Sequence, residues 1–399
     1  MVKIAILGFG VVGSGTAEVL TENKKIIEER LGCEYSIKYI LDLRDFPNSP
    51  FADLIVHDFN TILNDPEVSI VAEMMGGSHP AYDFSLAALK AGKHVVTSNK
   101  EVVSNFGVEL CAVAAENNVR YLFEASVGGG IPVIRPMIND LASNKITKIC
   151  GILNGTTNYI LTKMRDEGAS FESALAEAQK LGYAEANPSA DVDGIDAARK
   201  IVILSALASG KLVSPKSIYT EGITAISQND TKAADALGCS IKLIAQGHIA
   251  KDTLLTFVSP AMVQKTNPLS RIDDVFNGIL INANMVGEVM FYGPGAGKLP
   301  TASAVVADII DIVANMDSEL KVISWTDATD ADTSNFNDFA CKRVFVTAKE
   351  LTFSEDIAII KSVTLDDGFA YMTSELTELE LADIKEKNKA VISSVFRVV

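Results

Sequence analysis

The stretch VKIAILGFGVVG, residues 2–13, decides how this chain begins to fold. A short apolar run passes at once into Gly8-Phe9-Gly10-Val11-Val12-Gly13, and a helical pattern then continues towards Arg30. A G-x-G-x-x-G with a strand before it and a helix after it is the arrangement that cradles a pyrophosphate. Gly8 permits the tight turn, Gly10 lets backbone approach the phosphates, and Gly13 lets the helix lie close to the strand. The helix N-terminus adds free N–H groups that favour an anion. Dinucleotide binding is the expected use; a glycine-rich turn in some other α/β fold is the plain alternative.

Downstream, strand-like runs at 35–41, 69–74, 94–98 and 120–125 are separated by helical patterns at 80–91 and 102–117. Such alternation predicts a parallel sheet with helices on both faces and ligands at the carboxyl ends of the strands. The second strand ends at Asp42-Leu43-Arg44-Asp45. An acid there would bond the ribose hydroxyl of NAD, whereas Arg44 would receive the extra phosphate of NADP. Both residue types are present, so the spacing leaves NAD or NADP open. Gly76-Gly77 and Thr97-Ser98-Asn99-Lys100 fall at two further strand ends. Gly76 is thus a candidate cofactor contact, and Lys100 a candidate for reaching nicotinamide or substrate; a surface loop lysine is the bland reading of the latter. In EASVGGGIP, residues 124–132, three glycines expose carbonyls beside Glu124. That set suits an oxygen-lined cation site, or equally a hinge leading out of the nucleotide domain.

Composition sets the outer limits. A chain of 399 residues suggests two or three modules. A net charge of −16 argues against nucleic acid as a partner, because phosphate binding needs a basic face. The 5 cysteines are scattered without a metal spacing, and the 4 histidines give no zinc pattern, so reduced thiols are expected. Met1 to Lys3 leads straight into the first strand, and no apolar run reaches the ~20 residues that span a bilayer. A cytoplasmic protein with no membrane partner is the expectation.

From about residue 146 the character changes. A strand-like 146–153 runs into Asn154-Gly155-Thr156-Thr157-Asn158-Tyr159, a polar cluster suited to capping a helix or facing a ligand. Helices at 171–181 and 194–209 and strands at 240–250 and 254–259 suggest an α+β domain built on one broad sheet, able to pair with a copy of itself. Within it lies GYAEANPSADVDGIDAARK, residues 182–200, followed by the apolar run IVILSALA. Glu177, Glu185, Asp191, Asp193 and Asp196 crowd around one proline and two glycines. Asp196 and Lys200 share a helical face, and a lysine leading into a buried helix must find partners or lose its charge. A surface ion pair is the competing reading. A second glycine-rich loop, YGPGAGKLPT at 292–301, precedes a helix expected from 302 and aims its N-terminus at an anion.

Together, Gly8-x-Gly10-x-x-Gly13, Thr97 to Lys100, Asn154 to Tyr159, the 182–200 segment and Gly293-Pro-Gly-Ala-Gly297 resemble homoserine dehydrogenase over roughly residues 1–330. The resemblance implies a Rossmann-type doubly wound parallel sheet over 1–130, completed by about 300–335. It also implies a substrate-binding and dimerisation domain of α+β type over 131–299. Lys200 becomes the proton donor and acceptor, with Lys100 near nicotinamide and substrate. Gly182, Glu185, Asp191, Asp196, Asn154 and Thr156 become contacts to an amino acid substrate. Phe9, Val11 and Val12, with the motif glycines, Arg44, Gly76, Gly295 and Gly297, become cofactor contacts. Glu124 with the carbonyls of Val127, Gly129 and Ile131 matches a monovalent cation site for Na+ or K+. A homodimer or homotetramer working in threonine and methionine biosynthesis is implied as well.

The chemistry agrees with that assignment. Reducing L-aspartate 4-semialdehyde needs hydride on carbon, which nicotinamide supplies, and a proton on oxygen. An ammonium gives the proton and also stabilises the developing alkoxide. A free lysine titrates near ~10.4, so the reverse reaction near neutrality asks for desolvation or a neighbouring cation. Residues 340–399 have the rhythm of a small C-terminal α/β (ACT-like) module, yet LTFSED stands at 351–356 where an Asp-x-Pro-Gly turn usually opens its helix. Amino-acid feedback and a purely structural extension are both open. Two rivals remain: a sugar or polyol dehydrogenase, suggested by Gly92-Lys93-His94-Val95, and a non-catalytic NAD(P) sensor.

Overall fold

The computed structural model describes residues 1–399 apart from Asp252, Lys321 and Val322. Contacts divide the chain into two compact units. The first comprises Met1–Lys145, Val202–Pro215 and Gly293–Ala328; the second comprises Ile146–Ile201, Lys216–Tyr292 and Thr329–Val399.

The first unit is built on a parallel sheet of β1 (Val2–Leu7), β2 (Tyr35–Leu41), β3 (Ile55–Val56), β4 (Val68–Glu73), β5 (His94–Thr97) and β6 (Tyr121–Leu122). Their spatial order is β3-β2-β1-β4-β5-β6, so the winding reverses between β1 and β4. A reversal of this kind opens a crevice at the carboxyl ends of those two strands. Ile4, Ala5, Ile6 and Leu7 are all fully buried, as a central parallel strand covered on both faces requires. Ile4 and Ile6 share a core with Val305, Ile309 and Ile312 of the helix Lys298–Ala314. That helix starts before the expected 302, because Gly297 adopts φ +125 and caps it. The helical pattern after Gly10 breaks at Asn23 into Val11–Glu22 and Lys24–Leu31.

The strand expected at 120–125 is shorter than that. It ends at Leu122 and gives way to a 3-10 turn, Glu124–Ser126, in which the Ser126 hydroxyl donates to the Phe123 carbonyl. The Glu124 carboxylate is drawn aside to a helix start, as described below.

The second unit carries a mixed sheet. Its strands run, in order, Gly287–Pro294, Phe276–Ala283, Ile146–Ile152, Cys239–Ile249, Leu254–Gln264, Ile392–Val398, Ala340–Thr347, Gly368–Thr377 and Ile359–Leu365. Ile392–Val398 lies parallel to Leu254–Gln264, so the C-terminal strands continue the main sheet. The strand–helix–strand rhythm expected after 340 occurs once, as Gly368–Thr377, Glu378–Lys387 and Ile392–Val398. No helix joins Ala340–Thr347 to Ile359–Leu365. Leu351 instead tucks into an apolar cluster with Phe345, Tyr371, Leu376 and Leu381. All five cysteines are free thiols. Among the described residues, no helix is long and apolar enough to cross a membrane.

Candidate active site

Two groups of residues stand out, one in each unit. In the first, a cavity of about 500 Å³ opens at the carboxyl ends of β1, β2 and β4, lined among others by Gly8, Gly10, Asp42, Arg44, His57 and Gly76. Gly8 has φ +88, which permits the turn out of β1. A Cβ on Gly13 would lie 1.9 Å from the Gly8 carbonyl oxygen, so only glycine lets the helix come this close. Among the described residues, its chain neighbours aside, nothing lies within 4 Å of a Cβ built on Gly10. The space beside Gly10 is therefore free for another molecule.

Asp42 accepts from the Phe9 amide at 2.9 Å and grips Arg44 with both oxygens, at 3.0 Å each. The Arg44 guanidinium holds the Asp42 carboxyl well below the usual carboxylate range. Arg44 is thereby fixed at the cavity edge, and Asp42 is already partnered.

Sequence reasoning missed Glu73, the last residue of β4. It is fully buried; its carboxylate accepts from the Met75 amide at 2.7 Å and from the Thr97 hydroxyl at 2.6 Å. The Thr97 oxygen accepts in turn from the Asn99 amide, and the Asn99 side chain donates to the carbonyls of Met75 and Gly77. Asn99 also caps the helix Lys100–Glu116, which places Lys100, partly buried, at its first position. One acid within the apolar run VSIVAEMM was the available signal.

Burial raises the Glu73 carboxyl from 4.5 to about 7. A raised acid stabilises the fold while the unfolded chain is still protonated, below about pH 4.5, and that contribution is lost as pH rises through about 7. Relative to Glu73→Gln, the native protein should lose about 2–3 kcal/mol between about pH 5 and about pH 8. Denaturant unfolding at both pH values checks this; a pH-independent difference would refute it.

Glu124 is likewise buried, and its carboxylate accepts the amides of Val133 (2.7 Å), Ile134 (2.9 Å) and Arg135 (2.7 Å). It caps the helix Ile134–Ile138. Its own amide donates to Asp308, which pairs with Arg135 at 2.5 Å; burial raises the Asp308 carboxyl to about 8. Gly129, at φ +52, packs its backbone on Gly295, and the Gly130 amide donates to Pro294. The two glycine-rich loops therefore meet backbone to backbone. Among the described residues, no group of three His, Cys, Asp or Glu side chains is placed to hold a metal.

The second unit assembles the 182–200 segment around Asn154. Asn154 caps the helix Gly155–Asp166 by accepting from the Thr157 amide, and its amide group donates to Asp191 (2.7 Å) and Asp196 (2.9 Å). Asp196 pairs with Lys200 at 2.8 Å, and the Lys200 ammonium donates to the Leu153 carbonyl at 2.7 Å. Asp196 and Lys200 are only 4% and 7% exposed, which rules out a surface ion pair. Thr156 donates to the Tyr183 carbonyl at 2.6 Å, tying the 182–187 turn to the same helix. Gly182, at φ +77, makes that turn possible, and Glu185 stands exposed on it. An ammonium held between a carboxylate and a carbonyl can act as a general acid towards an oxygen that comes within hydrogen-bond reach.

Two family models match the chain: homoserine dehydrogenase over residues 132–310, and the homoserine dehydrogenase NAD binding domain over residues 8–124. A homoserine dehydrogenase of Synechocystis is 46% identical over 322 residues, which are 78% of this chain and 73% of that protein. The chain belongs to the homoserine dehydrogenase family. Proteins of this family are NAD(P)-dependent oxidoreductases that act on a CH–OH group. The crystal structure of a homoserine dehydrogenase from Thiobacillus denitrificans superposes with a TM-score of 0.91 at 32% identity, covering 100% of this chain and 98% of that one. A hyperthermophilic archaeal homoserine dehydrogenase mutant, solved in complex with NADPH, matches with a TM-score of 0.67 at 31% identity over 80% of this chain and 98% of that one.

Proposed function

We propose that this chain is a cytoplasmic, NADP-preferring enzyme that interconverts L-homoserine and L-aspartate 4-semialdehyde for threonine and methionine biosynthesis. The observation that carries the reading is the constellation of buried Asn154, Asp196 and Lys200 with the half-buried Asp191, in a chain of this family. The nicotinamide, when bound, supplies the hydride in one direction and takes it in the other. Lys200 gives its proton to the aldehyde oxygen and recovers it from the alcohol, while its charge steadies the alkoxide. Asp196 and the Leu153 carbonyl keep the ammonium aimed. Glu185, Asp191 and the 182–187 turn offer anionic and main-chain partners to the substrate's α-ammonium group. Lys100 heads a helix at the carboxyl end of β5, where a second cation would steady the substrate and nicotinamide.

Arg44 supports the NADP preference, because Asp42 is already occupied and holds the guanidinium by Nε and Nη2, which leaves Nη1 to meet a phosphate. Gly295 and Gly297 line up a helix start for the far side of the same cofactor. With the Glu124 carboxylate committed to backbone amides, a Na+ or K+ ion would be held by the main-chain carbonyls of Glu124, Val127, Gly129 and Ile131. A homodimer or homotetramer completes the proposal.

A spectrophotometric panel tests it, with homoserine, inositol and glucose each offered with NAD and NADP. Homoserine with NADP should be turned over fastest, and Arg44→Ala should reduce the NADP-over-NAD preference by about tenfold or more. Oxidation of inositol or glucose in preference to homoserine, or no turnover at all, would reject the reading.

A further inference from the structure

The last strand carries a buried arginine that none of the catalytic roles above uses. Arg397 is 6% exposed and pairs with Glu378 through Nε (2.7 Å) and Nη2 (3.0 Å). Its Nη1 reaches Glu221 at 3.2 Å, and its guanidinium lies 4.8 Å from the Tyr219 ring centre and 5.2 Å from that of Phe336. The Tyr219 hydroxyl donates to the same Glu221 oxygen at 2.8 Å. Glu378 is shared with a second buried guanidinium, Arg343, at 2.9 Å. Two cations share the Glu378 carboxylate, and Glu221, with its side chain 44% exposed, gives Arg397 a second anion from the solvent side.

Glu221 belongs to a short strap, residues 219–223. Tyr219 and Thr220 pair with Phe257 and Val258, and the Glu221 amide donates to Val258 at 2.9 Å. The other side of the strap lies directly on the 192–194 turn. The Ile223 amide donates to the Val192 carbonyl at 2.8 Å. A Cβ on Gly222 would sit 2.2 Å from that carbonyl oxygen and 2.6 Å from the Asp193 Cα. Gly194, at φ +82, faces Thr220 in the same way, with 3.1 Å to its methyl group from a Cβ position. This turn joins Asp191 to Asp196 and Lys200, the residues gathered around Asn154.

We infer that Arg397 is a positioning residue: through Glu221 and the 219–223 strap, the C-terminal strand holds the turn that sets Asp191, Asp196 and Lys200. Its catalytic consequence rests on the function proposed above. The C-terminal segment is then a brace for the amino acid end of the site, and anything that loosened it would be felt there.

The test uses the full-length protein and three variants: Arg397→Met, which removes the charge; Glu221→Gln, which only weakens the pair; and Gly222→Ala, which pushes the strap off the turn. Hydrogen exchange of the 189–200 amides, with no substrate present, should quicken by about tenfold in Arg397→Met and Gly222→Ala, and less in Glu221→Gln. In the assay, KM for homoserine should rise about tenfold in the first two, with NADP(H) affinity unchanged. The Arg397→Met and Gly222→Ala effects should be less than multiplicative when combined, because both act on one strap. Unchanged exchange of 189–200 in variants that still melt cooperatively would overturn the inference. So would fully multiplicative losses, or an equal loss of cofactor affinity. If the unaltered protein fails to oxidise homoserine, the functional reading falls, while the exchange result still decides the role of Arg397.

Discussion

Replacing Lys200 by alanine is expected to lower kcat by about 10²–10⁴-fold, the range for loss of a positioned general acid. NADP(H) affinity should change by less than about threefold, since the amine acts in the proton transfer. The structural reason is its placement: 7% exposed, 2.8 Å from Asp196 and 2.7 Å from the Leu153 carbonyl. An ammonium so held, between the Asp196 carboxylate and the Leu153 carbonyl, loses no time to rotamer search. Truncation also leaves the Asp196 carboxylate without its cation, so some stability will go with activity. Lys200→Met, which keeps the stem packed, separates the two effects. Steady-state kinetics and cofactor titration on both variants check the expectation; matched losses in turnover and cofactor affinity would refute the assigned role.

The second large effect concerns two glycines three residues apart. Gly13→Ala places a methyl group where the Gly8 carbonyl oxygen already stands, at 1.9 Å. Both partners are main chain, so the helix Val11–Glu22 must move away from the turn after β1. Overpacking of this kind costs about 1–3 kcal/mol and sometimes more. It also withdraws the helix N-terminus from the phosphates, so dinucleotide affinity should fall by about a hundredfold. Gly10→Ala should behave differently. Its backbone, at φ −79 and ψ −153, is extended, and among the described residues, its chain neighbours aside, nothing lies within 4 Å of the new methyl group. Stability should be retained while NADP(H) affinity falls by about tenfold or more, because only the bound cofactor meets that methyl. Denaturant unfolding and fluorescence titration distinguish the pair. Equal affinity in Gly10→Ala and the unaltered protein would mean that the cofactor does not approach this turn.

What could be read from the chain was what is settled locally. The Gly8–Gly13 turn, the Asn154 cap and the i,i+4 pairing of Asp196 with Lys200 each depend on neighbours a few residues away. Glu124 illustrates the opposite case. Its carboxylate is claimed by the amides of residues 133–135 and its own amide by Asp308, a partner that no local pattern announces. Glu73 was passed over because an acid at a strand end looks solvated until Thr97 and Met75 are seen to enclose it. The C-terminal segment has the rhythm of a module, and that rhythm is local. Its attachment, Ala261 opposite Arg397, is a pairing across the chain that only folding reveals. Arg44 was legible as a candidate phosphate contact, but its grip on Asp42, which settles what each residue has left to offer, was not.

Single-turnover kinetics test most directly whether Lys200 delivers the proton. Protein loaded with NADPH is mixed rapidly with L-aspartate 4-semialdehyde, and loss of the reduced nicotinamide is followed in the unaltered chain and in Lys200→Met. The expected result is a rapid burst from the unaltered chain, and from the variant, at equal NADPH occupancy, hydride transfer slowed by at least about a hundredfold. A burst of undiminished rate in Lys200→Met, with only later turnovers slowed, would contradict it.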